Sequence, residues 1–342
     1  MPDQARHDAI GNMKHAVITG GAGFIGSHLA EFLLEKGYRV SAIDNLVTGS
    51  RENVAHLAGQ GNFELIEADI NSEGVMEIAS EADEVYHLAA SVGVKQIMQN
   101  LVSSMLNNID GTAKVLEQVA KTGARTLVVS TSEVYGRCAD KPSKETDDLK
   151  MGEPIKTRWS YACSKALDEY LALAYFHEHS LPVTVVRLFN TVGDRQSSAY
   201  GMVLPTFVKQ ALSGQSLTIH GDGKQSRCFV YVKDVVNALY ELMQRSDTVG
   251  EVYNVGSTES VTISELADRV LALTGSGSLK QFIPYEQAYA HGFDDAYRRE
   301  PDITKINERI GFEPRYSLND IIKLVIEFEK ARQYQTDPVK QF

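Results

Sequence analysis

Residues 15–26 read HAVITGGAGFIG. A β-branched run stops at glycines placed at Gly20, Gly23 and Gly26, and Phe24 and Ile25 open an apolar pattern of helical period, which predicts strand, tight turn and helix. Without Cβ atoms the turn closes, a pyrophosphate approaches the backbone, and the helix packs on the strand with its N-terminal amides facing the ligand. The segment predicts a dinucleotide cradle. Asp44 ends the next β-branched run, YRVSAID, where a carboxylate accepts from both hydroxyls of a ribose and repels a 2′-phosphate. NAD is therefore expected over NADP, with Arg51 the feature that speaks for the phosphorylated form.

Outward from this segment, strand-like runs alternate with helical ones. FELIEAD, a short helix and EVYHLAA complete a βαβαβ half. A helix near Gln99 to Lys121, the strand RTLVVS, a helix near Trp159 to His179 and the strand VTVVRLF make a second. Such alternation predicts an α/β fold, a doubly wound parallel sheet with helices on both faces. After Asn190 the chain turns to Gly-rich loops and short helices at Val203–Leu212, Val235–Gln244, Ile263–Leu273 and Leu318–Lys330, which reads as a smaller C-terminal substrate-binding lobe. The expected organisation is a loose tail over 1–13, a dinucleotide-binding domain over 14–188, to which segments near 230–256 return, a substrate lobe over 189–335, and a tail over 336–342. The acidic loop from Asp140 to Lys156 is expected either to be mobile or to cover a site.

A hydrophobic share of 43% with 23% charged residues over 342 residues excludes disordered and fibrous classes. The formal charge of −11 argues against a nucleic-acid or anionic-membrane surface, so a small anionic ligand needs local positive donors. Cys138, Cys163 and Cys228 show no metal-ligand spacing, no metal is expected, and the odd count suits reduced thiols in a cytoplasmic protein. No apolar run approaches the length of a membrane span.

A second motif, Tyr161-Ala162-Cys163-Ser164-Lys165, sets a tyrosine and a lysine at i and i+4 on one helix face. A free phenol is a poor base at neutral pH, and a neighbouring ammonium favours the phenolate. Tyr161 is the expected proton acceptor from a substrate hydroxyl, and Lys165 its partner and the holder of the nicotinamide ribose.

These segments occur in order with others: Asp44-Asn45, Ala68-Asp69, HLAA at His87 to Ala90, NNIDGT at Asn107 to Thr112, STSEVYG at Ser130 to Gly136, RLFNTVG at Arg187 to Gly193, GDGKQSR at Gly221 to Arg227 and RREPDITK at Arg298 to Lys305. The chain thereby resembles the extended short-chain dehydrogenase/reductases that act on nucleotide sugars as epimerases, dehydratases and decarboxylases, from Lys14 to about Arg332. The resemblance implies a Rossmann-type domain and a bound NAD. It places Asn45, Asp69, Ile70, Leu88, Ala89, Ala90 and Asn108 beside the cofactor, with Asp69 on the adenine. Thr131 is implied to bond the sugar hydroxyl near Tyr161, and Asn190, Val203 and Arg227 to contact the sugar nucleotide.

Oxidation at C4 of the sugar is shared by the group, and Ser132, Glu133 and Arg299 bear on the fate of the resulting ketone. Simple 4-epimerases carry a small residue where Glu133 stands, whereas dehydratases commonly pair such an acid with an aspartate where this chain has Ser132. STSEVYG, TRWSYACSK and RREPD together resemble UDP-glucuronate decarboxylases. Decarboxylation of UDP-glucuronate is the leading expectation, UDP-hexose 4-epimerisation and then 4,6-dehydration the alternatives, and an NAD-sensing protein without turnover the non-enzyme one. The resemblance also implies a homodimer built on the helices near 99–121 and 159–179, with Leu101, Met105, Ile109 and Ala113 as an apolar stripe that faces either a second copy or the sheet.

Overall fold

The quoted run forms β1 (His15–Thr19) and α1 (Phe24–Glu35). The computed structural model describes residues 13–137, 141–288 and 297–336; nearly all of the two expected tails, together with Cys138 and Asp140, lie outside them. β2 (Arg39–Asp44), β3 (Phe63–Glu67), β4 (Glu84–His87), β5 (Arg125–Thr131), β6 (Val183–Leu188) and β7 (Val252–Val255) complete a seven-stranded sheet of order β7-β6-β5-β4-β1-β2-β3. Every pairing in it is parallel. The strand order reverses between β1 and β4, which leaves a crevice at the carboxyl ends of the strands.

Alternate residues of each strand enter opposite cores, so both faces must be apolar. Ile18, Tyr86, Leu127 and Val186 pack on one side with Leu29 and Leu33 of α1 and Val235 and Leu239 of α5 (Val232–Met243). Val17, Val85, Val128 and Val185 pack on the other with Val115 and Leu116 of α2 (Leu101–Thr122) and Ala172 of α3 (Trp159–His179). The smaller lobe carries α4 (Val203–Leu212), α6 (Ile263–Thr274) and α7 (Leu318–Thr336). Its core residues Phe207, Leu266 and Ile322 run on into the first cluster without a break.

Two expectations need correction. Helix α5 starts at Val232 instead of Val235, because the extended pair Val230–Tyr231 finishes bonding to Thr191–Val192 just before it. Helix α7 continues past Lys330 to Thr336, through polar residues that carry no apolar period but are good helix formers. On α2 the sheet-facing residues are Asn108, Thr112, Val115, Leu116 and Val119, while Leu101, Met105, Ile109 and Ala113 lie half-buried at its flank.

The loop after β5 does not hang free. Ser143 exchanges backbone bonds of 2.8 and 2.9 Å with Glu300 and Asp302, and the Glu145 carboxylate accepts the Asn254 amide at 2.8 Å. Buried Asn254 also donates to the Ser143 carbonyl.

The opposite rim of the sheet holds buried polar groups. Glu84, at the start of β4, accepts from the hydroxyls of Tyr38 (3.1 Å) and Tyr86 (2.8 Å) and from the Gln244 amide (3.3 Å). Arg125, at the start of β5, spends its guanidinium on Thr184, Thr248 and the Pro182 carbonyl. Replacing Glu84 by leucine strands the buried Tyr86 phenol and leaves Tyr38 only its 3.4 Å bond to Gln244, and is expected to cost about 3 kcal/mol. Urea unfolding measures the loss, and NAD affinity of the folded variant should stay at the wild-type value.

Candidate active site

Between the sheet's carboxyl edge and the smaller lobe lies a cleft of about 1130 Å³. Gly20, Gly23, Phe24, Ile25, Gly26, Asp44 and Asn45 line one end; Thr131, Ser132, Glu133, Tyr161 and Lys165 line its middle. Asn190, Val203, Arg227 and Arg299 line the far side.

The cradle works by removing side chains. Gly20 sits at φ +73°, and a Cβ on Gly26 would stand 2.1 Å from the Gly20 carbonyl oxygen, so only glycine lets α1 begin against the end of β1. Asp44, buried at the end of β2, accepts the Ala22 amide at 3.0 Å and the Leu46 amide at 2.8 Å, one on each carboxylate oxygen. Burial raises its pKa despite those bonds. Each oxygen retains acceptor capacity for a ribose hydroxyl. Arg51 is engaged with the Glu67 carboxylate through two N–H groups, which occupies the cation that would have favoured a 2′-phosphate. Asp69 accepts from Asn45 at 2.9 Å and from the Asn71 amide at 2.8 Å, in the wall beside Asp44, whose carbonyl accepts the Ala68 amide at 3.1 Å. Ile70, Leu88, Ala89 and Ala90 continue that wall. A glycine-walled helix terminus, a carboxylate and an apolar slot in this order fit a dinucleotide such as NAD.

Asn108 does not line the cleft. It is buried beneath it, accepting the Ser91 amide at 2.7 Å and donating to Ser164 at 3.1 Å, and so ties the loop after β4 to α3. His87, beside it, bridges Thr19 and Thr112 at 2.7 and 3.0 Å. Burial, helped by the nearby Lys165 charge, lowers the His87 pKa to about 3, so the ring is neutral.

Tyr161 and Lys165 share the inner face of α3, as the i, i+4 spacing requires. The Lys165 ammonium, however, is paired with Asp168 one turn on, at 2.7 Å, both of them buried. Tyr161 is held well above the usual phenol pKa, first by burial, then by the Glu133 and Asp168 carboxylates, while a hydrogen bond with Thr131 and the Arg299 charge pull it down. In this arrangement the lysine's charge is met by Asp168, and burial with the two carboxylates sets the direction of the phenol's pKa.

Glu133 follows Thr131 in a tight turn in which the Thr131 hydroxyl accepts the Glu133 amide at 3.3 Å. Arg299 donates to the Glu133 carboxylate at 3.0 Å from the short strand Arg298–Arg299, where it stands in register beside Arg227. Asn190 donates to the Cys228 carbonyl at 3.1 Å and Arg227 to the Ser226 carbonyl at 2.7 Å. Among the described residues Arg158, Lys165, Arg195, Arg227, Arg299 and Arg332 line the cleft of an otherwise acidic chain, which suits an anionic ligand.

Sequence reading missed Asp168, Arg158, His220, Tyr285, Phe328 and Arg332. Asp168 was visible as an i, i+3 partner of Lys165, and Arg158 as a cation on the same helical stripe. The other four reach the cleft from three elements of the smaller lobe, Phe328 and Arg332 both from α7.

Comparison with known proteins finds relatives along nearly the whole chain. The family model described as GDP-mannose 4,6-dehydratase matches residues 17–325. The chain is 41% identical to the UDP-N-acetyl-alpha-D-glucosaminuronate decarboxylase of Bacillus cytotoxicus over 92% of its own length and 97% of that protein's. It is 38% identical to UDP-glucuronic acid decarboxylase 1 of Danio rerio, over 95% of this chain and 75% of the other. Among solved structures, the UDP-glucuronic acid 4-epimerase of Bacillus cereus, in complex with UDP-glucuronic acid and NAD, superposes with a TM-score of 0.85 at 27% identity, over 93% of this chain and 99% of that one. The chain belongs to the GDP-mannose 4,6-dehydratase family, NAD-dependent nucleotide-sugar enzymes of the extended short-chain dehydrogenase/reductase type.

Proposed function

We propose that this protein oxidises the C4 hydroxyl of a UDP-hexuronate and decarboxylates the resulting β-keto acid. The observation that carries this reading is the Glu133 carboxylate bound to Arg299 beside Tyr161. The resemblance gives simple 4-epimerases a small residue where Glu133 stands. The two decarboxylase relatives support the reading, and the epimerase structure supports the runner-up, 4-epimerisation.

Bound NAD supplies a hydride acceptor at C4 and, once reduced, a donor. The residues of the cradle, with Asp44 on the ribose and Asp69 near the adenine, hold it. Tyr161 Oη takes the proton of the C4 hydroxyl, and Thr131, bonded to that same Oη, shares the hydroxyl and fixes its direction. Lys165 holds the nicotinamide ribose from a position fixed by Asp168. Asn190 and Arg227 hold the diphosphate, with Val203 against the nucleotide. With a ketone at C4, the C5–C6 bond breaks, carbon dioxide leaves, and the electron pair passes into an enolate that takes a proton at C5. Glu133, Ser132 and Arg299 stand at that end of the sugar, with Arg299 as the guanidinium for the leaving carboxylate.

The proposed assembly is a homodimer. Val102 (73% exposed) and Leu106 (51%) on α2 and Leu167 (45%) and Tyr170 (66%) on α3 make an exposed apolar face on two neighbouring helices. The free thiols of Cys163 and Cys228 suit the cytoplasm.

Incubation with NAD and either UDP-glucuronate or UDP-N-acetylglucosaminuronate should release carbon dioxide and a UDP-pentose or its 4-keto form, followed by NMR. Return of the uronate as its C4 epimer with no carbon dioxide would establish the runner-up instead. The first oxidation should quicken as pH rises through the neutral and alkaline range, since a raised phenol pKa leaves little phenolate at neutrality. Glu133→Gln, which removes one of the charges raising that pKa, should move the rise to lower pH, and Tyr161→Phe should abolish it. Unchanged turnover in Tyr161→Phe would favour the NAD-sensing alternative. Leu106→Glu combined with Tyr170→Glu should convert the dimer to a monomer in sedimentation; a wild-type protein that already sediments as a monomer refutes the assembly.

A further inference from the structure

Helix α3 carries a third ionisable residue on the stripe of Tyr161 and Lys165. Asp168 stands one turn beyond the lysine, and its Oδ2 accepts from Lys165 Nζ at 2.7 Å. The lysine is 2% exposed and the aspartate 1%. The other oxygen of that carboxylate, Oδ1, is buried without a hydrogen-bond partner among the described residues. The carboxylate therefore depends on one ammonium, and parting such a buried pair leaves each charge uncompensated.

The neighbouring charges are paired elsewhere. Glu169, next along α3, is held by Arg187 at 2.7 Å and by the Ser130 hydroxyl. Glu133, in the turn after β5, is held by Arg299 at 3.0 Å, with Arg158 3.7 Å from its other oxygen. His87 on β4 is neutral and bonds Thr112 of α2 at 3.0 Å, and the Thr112 hydroxyl is close enough to draw the Asp168 pKa down. Tyr161 and Lys165 line the cleft, whereas Asp168 does not. Whatever Asp168 does for the chemistry, it does through those two.

Oxidation at C4 sends a hydride to NAD and the hydroxyl proton to a Tyr161 phenolate, so its rate follows how readily that phenolate forms. A free ammonium beside a phenol stabilises the phenolate; one already met by a carboxylate does so weakly, and the carboxylate's own field opposes it. Burial, Glu133 and Asp168 indeed hold the Tyr161 phenol up, against the Thr131 bond and the Arg299 charge. We propose that Asp168 is a positioning residue that, by binding the Lys165 ammonium, limits the lysine's support of the Tyr161 phenolate and so governs how readily C4 is oxidised. The proposal rests on Tyr161 as the proton acceptor at C4 and not on the fate of the ketone.

The test mixes NAD-loaded protein with UDP-glucuronate and follows the reduced cofactor by absorbance across pH, for the wild type, Asp168→Asn and Asp168→Glu. UDP-glucose replaces the uronate should that prove inert, a result that counts against the hexuronate reading alone. Asp168→Asn should move the alkaline rise of the oxidation about one pH unit lower and make the rate at neutral pH about threefold or more faster than wild type. Asp168→Glu, which keeps the charge, should keep the wild-type profile. NAD affinity of both variants, by calorimetry, should stay within about threefold of wild type. Asp168→Ser, which leaves room for water beside the ammonium, carries the comparison if the asparagine variant does not fold. A folded variant without the charge that is slower at every pH, with an unmoved profile, overturns the proposal, as does a loss of NAD affinity of about tenfold or more. Oxidation that persists in Tyr161→Phe overturns the assignment of Tyr161 and this inference with it.

Discussion

The approach of α1 to the end of β1 governs the rest of the molecule. A methyl group at Gly26 would collide with the Gly20 carbonyl, so the backbone alone sets how near the helix terminus lies to the crevice. That contact aims the first amides of α1 into the cleft and brings the Ala22 amide onto Asp44. Strand order then does the remaining placement: because β4 and β5 follow on the other side of β1, the loops bearing Ala89, Thr131 and Glu133 open onto the same crevice.

Charge in the cleft is organised as pairs already made within the protein. Lys165 is met by Asp168, and Glu133 by Arg299 and Arg158. Pairing spares each group the cost of isolated burial, and it means a ligand's anions act by exchange of partners. The phenol of Tyr161 is held well above its usual pKa by burial and by the Glu133 and Asp168 carboxylates.

The sheet and the cradle were legible because they depend on local order: a β-branched run, glycines at fixed offsets, an acid at the next strand's end. Tyr161 and Lys165 were legible for the same reason, four residues apart on one helix. What the spacing could not convey was the competition for Lys165, whose charge is met by an acid one turn on. Asn108 shows the converse limit, for a motif residue beside the cleft proved to be bonded beneath it, to Ser91 and Ser164. His220, Tyr285 and the α7 residues Phe328 and Arg332 come together only through the packing of the smaller lobe, and long-range packing leaves no periodic trace. The acidic loop was ambiguous because its anchors, Asn254, Glu300 and Asp302, lie far away in sequence.

The two rims of the sheet differ in kind. At the amino ends of the strands, Glu84 and Arg125 are enclosed by tyrosines, threonines and carbonyls and lie away from the cleft. At the carboxyl ends, the charged groups face it. Parallel strands force this separation, since every amino end points one way and every carboxyl end the other. Change in the loops of the upper rim can therefore retune which sugar is accepted while the lower rim keeps the chain folded. A single scaffold can in this way diversify its chemistry without renegotiating its foundation.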